Sequence, residues 1–442
     1  MHGFAAKTAR LGTYFLKFKV TSNSTQNFCV GILCFWVFVP QLSYSSIARV
    51  LSLIAICVWF VIEVFKSRGL MIRPTFAFLS LAIFSGYTIT FELMTHGIEG
   101  FLSRIQLYIM LFFLIVQQAR RNDLASLGSI FWLIIVLLAV SMTVTYLYVS
   151  TVNDRAMRIL IRSSSEALEL TEKGVGGYSL AYSAVLMLPA LTLLSFRTSL
   201  IEFLEVPQVL RVTSWLPRLL IWYVTGLSIL LVFSSQFATA VITLTICLMI
   251  IFVLWRPSSF RVLLLFSLMS FMILFGKSLL IELLIYLAPI VDGTNYHLKV
   301  NDLLISLQMD SAGGTVSDRV ERYKSSLILF LQNPFTGVLY FTDIGKHSTL
   351  LDTFARWGVF IGGVLLYLVT FTQVRSLRSL SSQRGGLGVI LGTLIAVLMV
   401  FGLNNAFMAA GAIIFILYPS VFSAMARSQM SQGEARKVSN HA

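Results

Sequence analysis

Long stretches rich in Leu, Ile, Val and Phe, nearly free of charge, follow one another along the chain with short polar breaks between them. They fall near 27–45, 47–65, 74–94, 101–118, 127–150, 177–196, 218–234, 236–255, 260–278, 349–374, 387–403 and 405–425. About 20 apolar residues in an α-helix match a hydrocarbon core of roughly 30 Å, and lipid offers no partner to an unpaired backbone group. The pattern therefore predicts an all-α polytopic membrane protein with about 12 transmembrane helices.

The ninth run is overlong. Val262 to Val291 would extend about 43 Å as one helix. It either breaks near Gly276-Lys277, leaving Ser278–Leu287 along the membrane surface, or stays whole and tilts, with Lys277 reaching for the interface.

One polar stretch, Val291 to His347, separates the ninth run from the tenth. Val300, Leu303, Leu304 and Leu307 recur at helical spacing, Ala312-Gly313-Gly314 breaks that pattern, and a second helix is predicted from Asp318 to Asn333, where Pro334 stops it. A loop with helices of its own reads as a folded cap. The organisation expected is thus an inner segment 1–26, helices over 27–290 interrupted by an outer loop at 151–176, the cap at 291–348, helices over 349–425, and an inner tail at 426–442.

Composition agrees with the pattern: 57% of residues are hydrophobic and 12% charged, with a mean hydropathy of +0.85. The formal net charge of +14 sits mostly on alternate loops: Lys66/Arg68/Arg73, Arg120/Arg121, Arg197/Arg211/Arg218, Arg256/Arg261, Arg375/Arg378/Arg384 and Arg427/Arg436/Lys437. Cytoplasmic loops carry such an excess, so both termini are expected on the inner side. The first 26 residues lack a signal-peptide pattern. The basic balance is a topology signal and no argument for nucleic acid. Cys29, Cys34, Cys57 and Cys247 all fall in apolar runs, which leaves neither a disulfide framework nor a thiolate metal site.

Basic residues on the disfavoured side ask for a local reason. In the cap, Arg319, Arg322, Tyr323 and Ser326 share one helical face. Guanidiniums aimed together match phosphate oxygens, although pairing with Asp318 and Glu321 would also explain them. The first outer loop adds Arg155, Arg158 and Arg162, with Glu166, Glu169 and Glu172 available for charge balance. His347 precedes Ser348, a candidate N-cap of the tenth span, and its neutral imidazole could accept a hydroxyl proton. Asp352 and Arg356, one turn apart, read as an intramembrane ion pair. Arg104 and Glu92 read as a second pair at similar depth. No nucleotide cradle, HExxH site or Ser/His/Asp triad is visible.

Taken together, Ser317-Asp318-Arg319-Val320-Glu321-Arg322-Tyr323, Asn333-Pro334-Phe335-Thr336-Gly337, His347-Ser348-Thr349-Leu350-Leu351-Asp352 and Trp357-Gly358-Val359-Phe360-Ile361-Gly362 form a series. It resembles the bacterial O-antigen polymerase (Wzy) and O-antigen ligase (WaaL) superfamily: an Arg-led loop helix, a Pro-x-x-Gly turn, and a His-polar pair opening a helix that carries paired glycines. Gly176-Gly177-Tyr178-Ser179 and Ser234-Ser235-Gln236 are also similar to polymerase sequences.

The resemblance implies a membrane glycosyltransferase of the GT-C type in the bacterial inner membrane, acting on undecaprenyl-diphosphate-linked oligosaccharide donor and acceptor at the periplasmic face. It implies catalytic roles for His347 and Arg319 and diphosphate binding by Arg162, Arg322 and Arg158, with Asp352, Arg356, Tyr323 and Arg104 in support. No cofactor or metal is expected, and a chain-length regulator is a conceivable partner. Ligation of glycan to lipid A core remains open at this stage, as do a lipid-linked oligosaccharide flippase and a non-catalytic scaffold.

Overall fold

A computed structural model describes residues 22–66, 69–160, 164–256, 258–292, 315–339 and 344–439, with the single positions 297, 300, 301 and 304. Among these the protein is helical, with no strand. The main helices are α1 (Ser22–Phe38), α2 (Ser46–Val64), α3 (Phe76–Ser103), α4 (Ile105–Ala119), α5 (Leu124–Thr151), α6 (Tyr178–Phe196), α7 (Leu216–Ser234), α8 (Ala238–Val253), α9 (Ser259–Leu287), α10 (Thr315–Gln332), α11 (Thr349–Leu380) and α12 (Gly386–Leu403). The last, α13, starts at Met408, passes a π turn at Ile413–Leu417 and runs on as Tyr418–Ser439. Each apolar run of the sequence lies on one of these helices.

Eight of the described helices are long and apolar enough to cross a membrane: α2, α3, α5, α6, α7, α11, α12 and α13. Helices α4 and α8 are apolar but shorter. The molecule is an all-α polytopic membrane protein.

Helix α9 corrects one of the two readings of the ninth run. It is a single helix of 29 residues, with no break at Gly276-Lys277. One glycine costs a helix about 1 kcal/mol, less than leaving backbone groups unpaired in lipid. The cap helix α10 starts at Thr315 and stops at Gln332, one residue short of the Asn333-Pro334 pair. Most of the predicted helix at 300–307, of which only 300, 301 and 304 are described and helical, the Ala312-Gly313-Gly314 break, the inner segment before Ser22 and Arg162 lie outside the described residues.

Burial ranks the helices. In α6 and α13, 89% of the apolar window is buried, against 22% in α2. Helix α6 is therefore the central post and α2 a peripheral one. The Tyr418 hydroxyl donates to the Leu186 carbonyl, joining the two central helices well inside the apolar layer.

Two helices break at glycines in left-handed geometry: α3 at Gly97 (φ 61°) and α11 at Gly358 (φ 70°). At Gly358 the reason is close contact, since a Cβ there would lie 2.1 Å from the Phe335 carbonyl oxygen. The Pro-x-x-Gly turn docks into this kink. Val359 N–H donates to the Pro334 carbonyl at 2.8 Å, and Val338 N–H donates to that of Ala355, also at 2.8 Å. The turn thus supplies acceptors and donors that the broken helix would otherwise leave unpaired.

Candidate functional site

His347 is held by the first turn of α11. Ser348 is the N-cap: its hydroxyl oxygen accepts from Leu351 N–H at 3.0 Å and its hydroxyl donates to the Phe401 carbonyl at 3.3 Å. Thr349 N–H donates to the Asn404 carbonyl at 3.0 Å. The start of α11 is thereby tied to the end of α12. Lys346, just before His347, has a left-handed backbone (φ 57°), which a side chain other than glycine adopts only at some cost. Asn405 Nδ2 donates to the Lys346 carbonyl at 3.1 Å and helps hold that conformation.

Helix α10 is bolted onto this turn through Ser326. The Ser326 hydroxyl donates to Asp352 Oδ1 at 2.6 Å, and its oxygen accepts from Gly345 N–H at 3.1 Å. Ser348 N–H donates to Asp352 Oδ2 at 3.1 Å. The Tyr323 hydroxyl donates to the Leu403 carbonyl at 2.7 Å. Glycine is required at 345, because a Cβ there would come within 2.2 Å of the Arg322 carbonyl oxygen.

This docking brings Arg319 and Arg322, both exposed, into electrostatic reach of His347. Burial pushes the His347 imidazole below its ordinary value of 6.5, the Arg322 and Arg319 guanidiniums push it further, and the Asp352 carboxylate opposes them. At neutral pH the ring is a free base with cations beside it. Burial raises the Tyr323 phenol, Arg319 acts against that, and Asp352 adds to it.

Arg319 also acts on Tyr178 and Tyr182, at the start of α6. Those rings lie 4.6 Å apart, and Tyr178 stands 6.2 Å from Phe237 and 6.0 Å from Phe407. The Tyr178 hydroxyl donates to the Asn405 carbonyl at 3.3 Å. An aromatic cluster at the start of α6 therefore lies within electrostatic reach of Arg319.

A second charged cluster adjoins the first. Arg104 Nε lies 2.6 Å from Glu92 Oε1, Arg356 lies 3.2 Å from Glu92 Oε2, and His96 Nδ1 lies 3.2 Å from the same oxygen. Both guanidiniums approach Trp357, at 4.5 Å and 5.8 Å from its ring. The expected Asp352–Arg356 pair is corrected here. Arg356, just before the Gly358 kink, reaches Glu92 on α3, while both Asp352 oxygens are taken by Ser326 and Ser348. Asp352 nonetheless feels the Arg104 charge, so the two clusters are electrically joined.

Of the arginines in the loop at 151–176, Arg155 and Arg158 lie among the described residues. Arg158 is exposed on a single turn, Ala156–Ile159, and its side chain makes no hydrogen bond or ion pair among the described residues. The loop meets the site through backbone instead. Gln236 Nε2 donates to the Asp154 carbonyl at 3.1 Å, and a Cβ on Gly177 would touch Leu160.

Sequence reasoning missed Tyr178 and Tyr182 as lining groups, and it missed Asn404 and Asn405 entirely. The signal for the latter was an Asn-Asn pair interrupting the apolar sequence between 387 and 425. The arrangement sets two exposed guanidiniums, Arg319 and Arg322, within electrostatic reach of the His347 imidazole. Compared with protein-family models and with curated proteins, the chain shows no match.

Proposed function

We propose that the protein is an O-antigen polymerase: a metal-independent GT-C-type glycosyltransferase with twelve spans, working on the periplasmic face of the bacterial inner membrane. It would transfer a growing glycan from undecaprenyl diphosphate to the terminal sugar of a new lipid-linked repeat. The observation that carries this reading is the fastening of α10 to the first turn of α11 through Ser326 and Asp352, which sets Arg319 and Arg322 within electrostatic reach of His347. It adds to the motif resemblance a geometry suited to that chemistry.

In the transfer, an acceptor hydroxyl oxygen bonds to the donor's anomeric carbon as the bond from that carbon to the diphosphate oxygen breaks. The bonding pair leaves with undecaprenyl diphosphate, and the hydroxyl proton passes to His347 Nδ1 or Nε2. Negative charge grows on the leaving oxygen, where guanidiniums already in position stabilise it better than reorienting water does. Asp352 holds the α10–α11 junction and keeps the imidazole within reach of protonation. The aromatic cluster at Tyr178 and Tyr182 offers apolar faces for a sugar ring.

The test is glycan length measured with purified protein in vesicles and a defined lipid-linked repeat placed on the outer face. Wild type should lengthen the glycan, while His347→Ala and Arg319→Ala should stay in the membrane and make no polymer. Full activity in either variant removes that residue from the mechanism, and translocation without lengthening favours a flippase.

A further inference from the structure

Three hollows away from His347 adjoin one another through shared lining residues. One of about 740 Å³ is lined by Asn23, Glu63, Lys66, Gly69, Arg120 and Asp123, among others. A second, of about 270 Å³, shares Gly69, Ala119 and Asn122 with it and adds Arg73 and Arg121. The third, of about 420 Å³, is wholly apolar, shares Val61 and Ile62 with the first, and follows Val58, Cys57, Ile54, Leu53 and Val50 up one face of α2. Helix α3 begins next to this system and ends at the Glu92–Arg104 cluster. The hollows and the Glu92–Arg104 cluster beside the His347 site therefore lie at opposite ends of α3.

The charge in this system is unbalanced. Lys66, Arg73, Arg120 and Arg121 face two acids, and both acids are already engaged. Glu63 accepts from Leu70 N–H at 2.7 Å, from Gln26 Nε2 at 3.1 Å and from Lys66 at 3.3 Å. Asp123 caps α5, accepting from Ser126 N–H at 3.1 Å and from the Ser126 hydroxyl at 2.7 Å. Arg120 is 2% exposed. It donates to Asn23 Oδ1 at 2.6 Å and Gln26 Oε1 at 2.9 Å, yet its Nε has no partner among the described residues. Burial and the Arg120 charge both push the Lys66 ammonium below its ordinary value, with Glu63 opposing. A buried cation short of an acceptor is costly, and an anion would relieve it.

The apolar groove sets what carries that anion. From Val50 to Ile62 it runs about 18 Å along the helix, close to the roughly 15 Å depth of one hydrocarbon leaflet. Its residues recur at i, i+3, i+4 and i+7 and, from Val50 to Val61, are exposed on the most peripheral helix of the eight, with Ile62 half-buried. We propose that this groove and the cationic hollow below it form a binding site for one anionic phospholipid, with an acyl chain along α2 and the phosphate between Lys66 and Arg120, flanked by Arg73 and Arg121. Basic recesses between membrane helices recognise such headgroups. The site does not depend on the reaction assigned to the opposite face.

The test is native mass spectrometry of the full chain, delipidated in detergent and offered phosphatidylglycerol and phosphatidylcholine with identical acyl chains. Phosphatidylglycerol should be retained selectively, and K66Q/R73Q/R121Q should lower its affinity roughly a hundredfold. Val58→Trp, which blocks the groove without touching a charge, should also weaken it, and this covers the case in which the triple variant fails to fold. Glycerol phosphate, the same headgroup without chains, should compete poorly. Equal retention of the two lipids overturns the proposal, as does retention unchanged by either variant. Competition by glycerol phosphate as strong as by the lipid would mean a free-phosphate site and overturns it too.

Discussion

The Ser326 hydroxyl donates to Asp352 Oδ1 at 2.6 Å while its oxygen accepts from Gly345 N–H at 3.1 Å. One buried side chain thus joins the cap helix, the segment before His347 and the first turn of α11. Ser326→Ala leaves a buried carboxylate oxygen and a buried N–H each short of a partner, which costs about 1–3 kcal/mol. Thermal unfolding in detergent should show the loss, and limited proteolysis should show faster cleavage at Arg322 and Lys324.

The charges around His347 set the acid limb of the transfer rate. Arg322 disfavours the imidazolium and Asp352 favours it. Arg322→Gln should therefore raise the imidazole value and move the acid limb to higher pH. Asp352→Asn should move it to lower pH. A pH–rate profile of glycan lengthening reads both, and shifts of the same sign in the two variants would contradict the arrangement.

Glu92 is 1% exposed and shared by two guanidiniums. Glu92→Gln leaves Arg104 and Arg356 facing each other without a countercharge, and breaking a buried ion pair in this way costs about 3–5 kcal/mol. The expected result is a large fall in melting temperature. Arg356→Met in the same background should recover part of it.

Gly358→Ala places a Cβ 2.1 Å from the Phe335 carbonyl at a φ of 70°. The expected cost is about 3 kcal/mol or more, read as loss of monodisperse protein after purification. Gly363→Ala lies one turn and a half further along α11, with nothing within 4 Å of its added Cβ. It should be neutral or more stable by up to about 1 kcal/mol.

The motifs singled out along the chain turn out to be mutual contacts. Arg319 and Arg322 reach His347 because Ser326, a third residue of the same helical face, is fastened to Asp352. The Pro334–Gly337 turn fills the kink at Gly358. Arg356 was misread because helical spacing sees a neighbour one turn away, Asp352, and cannot see Glu92, 264 positions distant in sequence. Tyr182 passed as an ordinary membrane-helix residue and Tyr178 entered only through the Gly176–Ser179 motif, since only the packing of the bundle brings both within electrostatic reach of Arg319.

What the chain determines by itself is local: which stretches are apolar for long enough to be membrane helices, where Pro334 ends the cap helix, and which residue caps α11. These follow from backbone hydrogen bonding and lipid exclusion, which act over a few residues. The tertiary structure alone decided which polar groups meet. It sent Arg356 to Glu92, seated Asn404 and Asn405 beside His347, and drew Lys66 and Arg120 into one recess. Inside the apolar layer each polar group must find a partner in whichever helix packs beside it, and that neighbour is chosen by shape and burial summed over the whole bundle.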